Sequence, residues 1–165
     1  MMRYTKALAI VFVAAFALCS AGSVRAADGA SDACALITQS QASAALGVPL
    51  GDGAHPGATN LATCQWTQAA QSGQSGKKVM LIILGPMGSM SPADRFESAK
   101  KPVQGFTKTP VSGIGDDACY VEARANTSLY VKKGKSVFQI FVYGFPPDQA
   151  KAMEKALAQQ AVGKL

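Results

Sequence analysis

The chain has 165 residues, with sixteen basic and ten acidic side chains and a formal net charge of +6. Three of the basic residues, Arg3, Lys6 and Arg25, lie in an N-terminal segment that we predict to be removed, which leaves a net charge of +3. The other basic residues stand singly or in pairs, as is typical of solvated turns and helix ends. This pattern argues against a nucleic-acid-binding protein.

Residues 1–26 have the pattern of a signal peptide. A positively charged start precedes the apolar run Ala7–Leu18, and the segment closes on Val24-Arg25-Ala26, a cleavage pattern of small residues before Ala27. The run is too short for a transmembrane helix, which needs about 20 apolar residues. We therefore predict an exported protein, periplasmic or secreted, that has no transmembrane span.

The remaining residues, 27–165, are predicted to form a single exported domain with a modest core. The competing interpretation of the N-terminus is a lipid anchor on Cys19. Leu18 argues against an anchor, because such sites usually have Gly or Ala in that position.

Three cysteines follow the predicted cleavage site: Cys34, Cys64 and Cys119. Export to an oxidising compartment favours one disulfide and leaves one thiol. Three pairings are open, and we favour Cys34 with Cys64, whose loop closure is worth about 3–4 kcal/mol in the chain-entropy model. Cys119 is then expected to be a buried, inert thiol.

The first predicted helix has a capping box, with Thr38 as the N-cap and Gln41 at the third helical position, and it ends at Gly47. Residues 48–60 are rich in Gly, Pro and Asp, which indicates a loop with a short edge strand at 48–50.

Two strands are predicted next. In Ala62–Gln68, Trp66 shares a face with Cys64, and we interpret the ring as a core residue beside the disulfide rather than a stacking platform for a ligand. Lys78–Leu84 is a continuous apolar run, which indicates a central strand covered on both faces.

A second helix is predicted to start at the N-cap Ser91, with Pro92 in the first position and Asp94 completing the cap, and to stop at Pro102. Residues 103–117 are expected to be irregular.

The strand 118–124 that follows alternates between two faces. We place Cys119, Val121 and Ala123 inward, with Tyr120, Glu122 and Arg124 outward.

A C-terminal helix is predicted from Pro146-Pro147-Asp148 to about Val162. Its apolar stripe consists of Ala150, Met153, Leu157 and Ala161. Glu154 is assigned to the outer face with Lys151 and Lys155.

The clearest element is a β-hairpin over Asn126–Gly144, with a two-residue loop at Lys133-Gly134 and Lys132 paired with Lys135. Its core face comprises Leu129, Val131, Phe138, Ile140 and Val142. The opposite face mixes aromatic side chains with lysines and a glutamine: Tyr130, Lys132, Lys135, Val137, Gln139, Phe141 and Tyr143.

Together these elements predict an α+β fold, with an antiparallel sheet of about five strands and two or three helices packed on it. The order of elements also allows a duplicated helix-plus-hairpin unit.

Several short motifs resemble a broad group of small secreted or lipid-anchored bacterial domains of unknown function. The motifs are Asp32-x-Cys34-x-Leu36-Ile37-Thr38, Ala45-Leu46-Gly47, Cys64-x-Trp66 and Gly113-Ile114-Gly115-Asp116-Asp117-Ala118. The resemblance implies an α+β envelope domain with a disulfide between Cys34 and Cys64. It carries over no catalytic residue.

Catalytic motifs are scarce in the sequence. The only histidine, His55, lies in a Gly/Pro loop without a Gly-x-Ser-x-Gly or Cys-His setting, and we interpret it as an exposed bystander. No phosphate-binding glycine loop and no Cys-x-x-Cys spacing occur, so we predict no cofactor and no enzymatic activity.

The alternative function is a small hydrolase or a periplasmic copper-handling protein that uses His55. Met80, Met87 and Met90 would be its further soft ligands.

Our main prediction is a non-enzymatic domain that binds an envelope protein or a small ligand of unknown identity. The predicted site is the mixed hairpin face, with Tyr130, Lys132, Phe141 and Tyr143, because exposed aromatic patches often mark binding surfaces. In the competing interpretation a helix covers this face and leaves no site.

Overall fold

The computed structural model describes residues 32–57, 59–69 and 76–165, and it has an α+β fold. The helices are α1 (Gln39–Leu46), α2 (Pro92–Lys100) and α3 (Pro147–Val162), preceded by a short 3-10 helix (Ala33–Ala35). The strands are β1 (Thr63–Thr67), β2 (Lys78–Ile83), β3 (Thr107–Val111), β4 (Asp117–Ala123), β5 (Asn126–Lys133) and β6 (Ser136–Tyr143). They form one antiparallel sheet in the order β1-β2-β6-β5-β4-β3.

The predicted fold class is confirmed, with a sixth strand beyond the expected five. A helix followed by antiparallel strands occurs twice along the chain, with two strands after α1 and four after α2. The predicted signal peptide, and the alternative anchor at Cys19, lie outside the described residues. Within the described part of the chain, no helix is long and apolar enough to cross a membrane.

The helix caps form as the local sequence predicts. The Thr38 hydroxyl accepts the Gln41 N–H, and the Gln41 side chain accepts the Thr38 N–H. Ser91 and Asp94 make the same reciprocal pair at the start of α2. Gly47 ends α1 at φ 66°, a left-handed conformation that glycine adopts without strain.

Strand β3 was not predicted, because residues 103–117 were expected to be irregular. Its five side chains, which include Pro110, are all exposed or half-exposed. An edge strand can accept proline, since the missing N–H faces away from the neighbouring strand, here β4. The strand therefore lacks the apolar alternation of a half-buried strand, and its proline argues against a strand in the sequence.

The main core lies between one face of the sheet and the helices α1 and α3. The hairpin formed by β5 and β6 contributes its predicted core face to this layer. Trp66 is 1% exposed and packs in the same core, which confirms its interpretation as a core aromatic. Its position places the first half of the chain on the same core as the C-terminal helix.

The hairpin register differs from the prediction by two residues. Lys133 pairs with Ser136, so the loop consists of Gly134 and Lys135. Gly134, at φ 56°, therefore occupies the first loop position and not the predicted second position. Glycine also occupies the first loop position in a type II′ turn. Because a shift by an even number of residues preserves the side-chain alternation, the predicted faces are correct.

The two faces of β4 are the reverse of the prediction. Tyr120 lies in the main core, where its hydroxyl donates to the Lys151 carbonyl of α3 at 2.6 Å. Cys119 is also buried but faces the other side, while Val121 and Ala123 are only half-buried. Burial of a tyrosine is favourable when its hydroxyl has a hydrogen-bond partner. Here the partner belongs to α3, so the sequence of β4 alone does not indicate that Tyr120 is buried.

The helix α2 covers one end of the second face of the sheet. Phe96 is fully buried there against Leu84 and Val137, with Ile82 and Tyr130 at the edge of the cluster. The opposite end of this face, which carries the C-terminal part of β6 and the start of β2, lies beyond that cluster. Helix α2 therefore covers one half of the hairpin face, as the competing interpretation expects of the whole face.

Candidate binding face and histidine cluster

We call the half of the second face that no described helix covers the open face; it carries Lys78, Met80, Phe141 and Tyr143. A pair of stacked rings lies at its centre. Phe141 and Tyr143 alternate on the same side of β6, with ring centroids 5.8 Å apart and planes inclined by 11°. Both residues are half-buried. Burial, reinforced by the charge of Glu154, raises the pKa of Tyr143, so its phenol is neutral at physiological pH.

A lysine completes this arrangement from the neighbouring strand. Lys78 is directly opposite Tyr143 in the β2–β6 register, and its Nζ lies 4.7 Å from the ring centroid. An ammonium group over an aromatic face is a favourable cation–π contact. Sequence reasoning missed Lys78 because it depends on knowing that β2 pairs with β6.

A cavity of about 160 Å³ opens beside Phe141. It forms where β5 and β6 separate, since their pairing ends at Leu129 and Ile140 while β5 continues with β4 as far as Asn126. The apolar part of its wall consists of Phe106, Val121, Ala123 and Phe141. On the polar part, the Gln139 amide donates to the Ser128 hydroxyl at 3.1 Å.

Phe106 and Lys108 bring a second aromatic and lysine pair to the rim of the cavity. The Phe106 ring is 46% exposed, and Lys108 Nζ lies 5.0 Å from its centroid. Both residues were missed because their segment was expected to be irregular. Among the described residues that alternate onto the open face, none is a carboxylate, so the side-chain charge there is positive.

Of the four residues predicted for the binding site, three lie together. Tyr130 and Phe141 line the cavity, and Tyr143 stacks on Phe141. Tyr130 also touches the α2 cluster, and burial raises the pKa of its phenol. Lys132 pairs with Val137, toward the end of the face that α2 covers, so it lies apart from the cavity.

A second group of polar side chains surrounds the disulfide. Cys34 and Cys64 are bonded, with Cα atoms 5.0 Å apart, which confirms the favoured pairing and ties the 3-10 helix to β1. The chain from Gly51 to Ala54 crosses the disulfide so closely that a Cβ atom on Gly53 would lie 2.9 Å from the Cys64 sulfur. Only glycine fits at this crossing without displacing a neighbour.

His55 follows this crossing, and its ring is half-buried rather than exposed as predicted. The side chain is 23% exposed and has three neighbours. Its Nδ1 lies 2.7 Å from the Thr63 carbonyl oxygen and 3.8 Å from the Cys34 sulfur, and its Nε2 lies 3.4 Å from a carboxylate oxygen of Asp32. The loop folds back onto β1 through Ala54, which places the ring there.

The third cysteine of the domain, Cys119, is a buried free thiol, as predicted. Burial raises its pKa, which keeps the sulfur protonated and unreactive at neutral pH.

The methionines of the copper hypothesis are placed in other environments. Met87 and Met90 pair with one another through their backbones in the loop before α2. Met80 is opposite Phe141 on the open face. The side chains that contact His55 are instead those of Asp32 and Cys34.

Comparisons of the chain with protein-family models, with curated proteins and with solved structures found no match.

Proposed function

We propose that this chain is an exported, non-enzymatic domain that binds a small, anionic, amphipathic molecule on its open face. The observation that carries the proposal is the stack of Phe141 on Tyr143, with the Lys78 ammonium group above it, beside a cavity. Stacked rings offer a platform for the apolar part of a ligand, and the lysine offers a partner for its charge.

The size of the cavity favours a small group over a large one. A cavity of about 150 Å³ is enough for a benzene ring, and the one beside Phe141 measures about 160 Å³. A ring or short alkyl chain would enter there between Phe106 and Phe141. A negatively charged end group would then reach Lys78 or Lys108, and no carboxylate among the described residues of the face opposes it.

Export and the absence of catalysis rest on two further observations. The disulfide is of the kind that persists in oxidising compartments, in keeping with the predicted signal peptide. His55 has the Thr63 carbonyl at one ring nitrogen and Asp32 at the other, and the sulfur beside it is bonded to Cys64. A ring held in this way has no free nucleophile to activate.

The binding test uses phenylacetate and octanoate as probes, with phenylethanol and octanol as their uncharged counterparts. We expect ligand-observed NMR to detect both anions and to show weaker binding of the alcohols. Phe141→Ala and Lys78→Gln should each weaken binding by about tenfold without lowering the melting temperature by more than a few degrees.

Lys135→Gln is the matched control, because it removes the same charge from an exposed loop position at the far end of β6. If Lys78→Gln and Lys135→Gln weakened binding of the anions equally, the contribution of Lys78 would be non-specific charge attraction. If neither anion bound and Phe141→Ala abolished capture of a protein from the envelope, the open face would be a protein interface instead.

A further inference from the structure

We propose that Asp32, Cys34 and His55 form a Zn²⁺ site that becomes available when the Cys34–Cys64 disulfide is reduced. One ligand atom from each of the three side chains lies within 4.8 Å of the other two. Carboxylate oxygen, thiolate sulfur and imidazole nitrogen are all ordinary ligands of zinc. The inference concerns different residues from the open face and does not depend on the function proposed there.

The spacing of two of the ligands already suits a zinc ion. His55 Nε2 and the Asp32 carboxylate oxygen are 3.4 Å apart. Two ligands bonded to one zinc at about 2.0–2.1 Å, in tetrahedral geometry, are separated by about 3.4 Å. The nitrogen and the oxygen therefore need little movement to share an ion.

The orientation of the His55 ring also suits a metal ligand. When Nδ1 carries the proton and donates it to the Thr63 carbonyl, 2.7 Å away, the lone pair of Nε2 points toward Asp32. A lone pair and a carboxylate oxygen repel each other unless a proton or a metal cation lies between them. A backbone carbonyl on the second nitrogen is the usual outer partner of a metal-bound histidine.

A backbone hydrogen bond to the same carboxylate oxygen holds Asp32 in place. Its carboxylate accepts the Cys34 N–H at 2.8 Å, as the N-cap of the 3-10 helix. The side chain is 45% exposed, so an ion and a water molecule as fourth ligand can reach the site from solvent. The carboxylate is thus both positioned and accessible.

Reduction supplies the third ligand. A dithiol reductant gives two electrons and two protons to the disulfide, becomes a disulfide itself, and leaves Cys34 and Cys64 as thiols. Cys34 can then rotate about its Cα–Cβ bond toward His55, and its thiol loses a proton when the ion binds. Cys64 is fully buried beneath Gly53 and beside Trp66 and stays there. In the oxidised chain Cys34 has no thiolate, and the site is closed.

The test is a Co²⁺ titration of the full chain without a histidine tag, under anaerobic conditions and after reduction with a phosphine. We expect one equivalent to give the visible bands of tetrahedral cobalt and a thiolate charge-transfer band, both removed by Zn²⁺. The oxidised chain should give neither. His55→Ala and Asp32→Ala should weaken Zn²⁺ binding by at least about tenfold, whereas Cys119→Ser should bind like the wild type.

Cys64→Ala keeps the test decisive if reduction destabilises the fold, because it frees Cys34 without a reductant. We expect this variant to bind one Co²⁺ as prepared. The proposal is overturned if Cys64→Ala and the reduced chain show no thiolate band, if the oxidised chain binds equally well, or if His55→Ala binds like the wild type. Phe141→Ala should leave metal binding unchanged, so the two proposals can fail separately.

Discussion

The carboxyl group of Glu154 on α3 accepts the backbone N–H of Val142 on β6, at 3.2 Å. Val142 lies two residues beyond Ile140, where the pairing of β6 with β5 ends. The Thr127 hydroxyl donates to the other oxygen of the carboxyl group, at 3.4 Å. Glu154 thus satisfies a strand N–H at the point where β5 separates from β6, and its predicted place on the outer face of α3 is wrong, since it is fully buried.

This burial makes the stability of the protein depend on pH. Desolvation raises the pKa of Glu154 to about 8, and the hydrogen bonds from Val142 and Thr127 only partly offset it. The folded state therefore binds a proton that the unfolded state releases above the ordinary pKa of 4.5. We expect the free energy of unfolding to fall by a few kcal/mol between about pH 4.5 and pH 8, since one pKa unit corresponds to about 1.4 kcal/mol.

Glu154→Gln provides the control, because it keeps the shape and an acceptor for the Val142 N–H but does not ionise. Urea denaturation at pH 5 and pH 8.5 should give nearly equal stabilities for this variant and a clear loss at pH 8.5 for the wild type. An equal pH dependence in both proteins would assign the effect to other groups.

Gly53→Ala should destabilise the domain by about 1–3 kcal/mol, the usual cost of overpacking. The added methyl group would lie 2.8 Å from Trp66 Nε1 and 2.9 Å from the Cys64 sulfur, neither of which can move easily in the core. Gly57→Ala is the matched control in the same loop, since nothing lies within 4 Å of the added atom. Urea denaturation measures both, and equal effects would contradict the close crossing at the disulfide.

Tyr120→Phe and Tyr120→Ala test the reversed faces of β4. The first removes the hydrogen bond to the Lys151 carbonyl and should cost about 1 kcal/mol. The second also removes a buried ring and should cost about 3–5 kcal/mol. Thermal or urea unfolding provides the measurement. If both substitutions changed stability by less than about 0.5 kcal/mol, Tyr120 would be on the outside, as the sequence alone suggests.

Removal of residues 1–26 is a prediction from the sequence alone. Expression of the full chain in a bacterium, followed by intact-mass analysis of the periplasmic and culture fractions, should give a polypeptide that begins at Ala27. A product with a lipid on Cys19 would support the alternative anchor. Uncleaved chain found only in the cytoplasm would contradict export.

The features predicted correctly are those that depend on residues close together in the chain. The capping box of Thr38 and Gln41, and the alternation along β5 and β6, use neighbours within four residues. The Cys34–Cys64 bond spans a longer loop, but only three pairings had to be considered. Local chemistry thus predicted the elements other than β3, and most of the faces.

The features that were missed depend on partners from distant segments. Glu154 is buried because Val142 has an N–H that β5 does not satisfy, and nothing near Glu154 in the sequence shows this. His55 has partners because its loop folds back onto β1. Lys78 joins the open face only because β2 pairs with β6, some 60 residues later in the chain. Each of these contacts requires the topology to be known first.

The strand order has a consequence for biosynthesis. The β1–β2 hairpin finds its neighbour only in β6, the last strand to be made. While the chain is growing, Leu81 and Trp66 have no sheet to complete their burial. Folding of the first half of the chain must therefore wait until nearly the whole polypeptide has emerged. During that interval its apolar strands need protection from premature association.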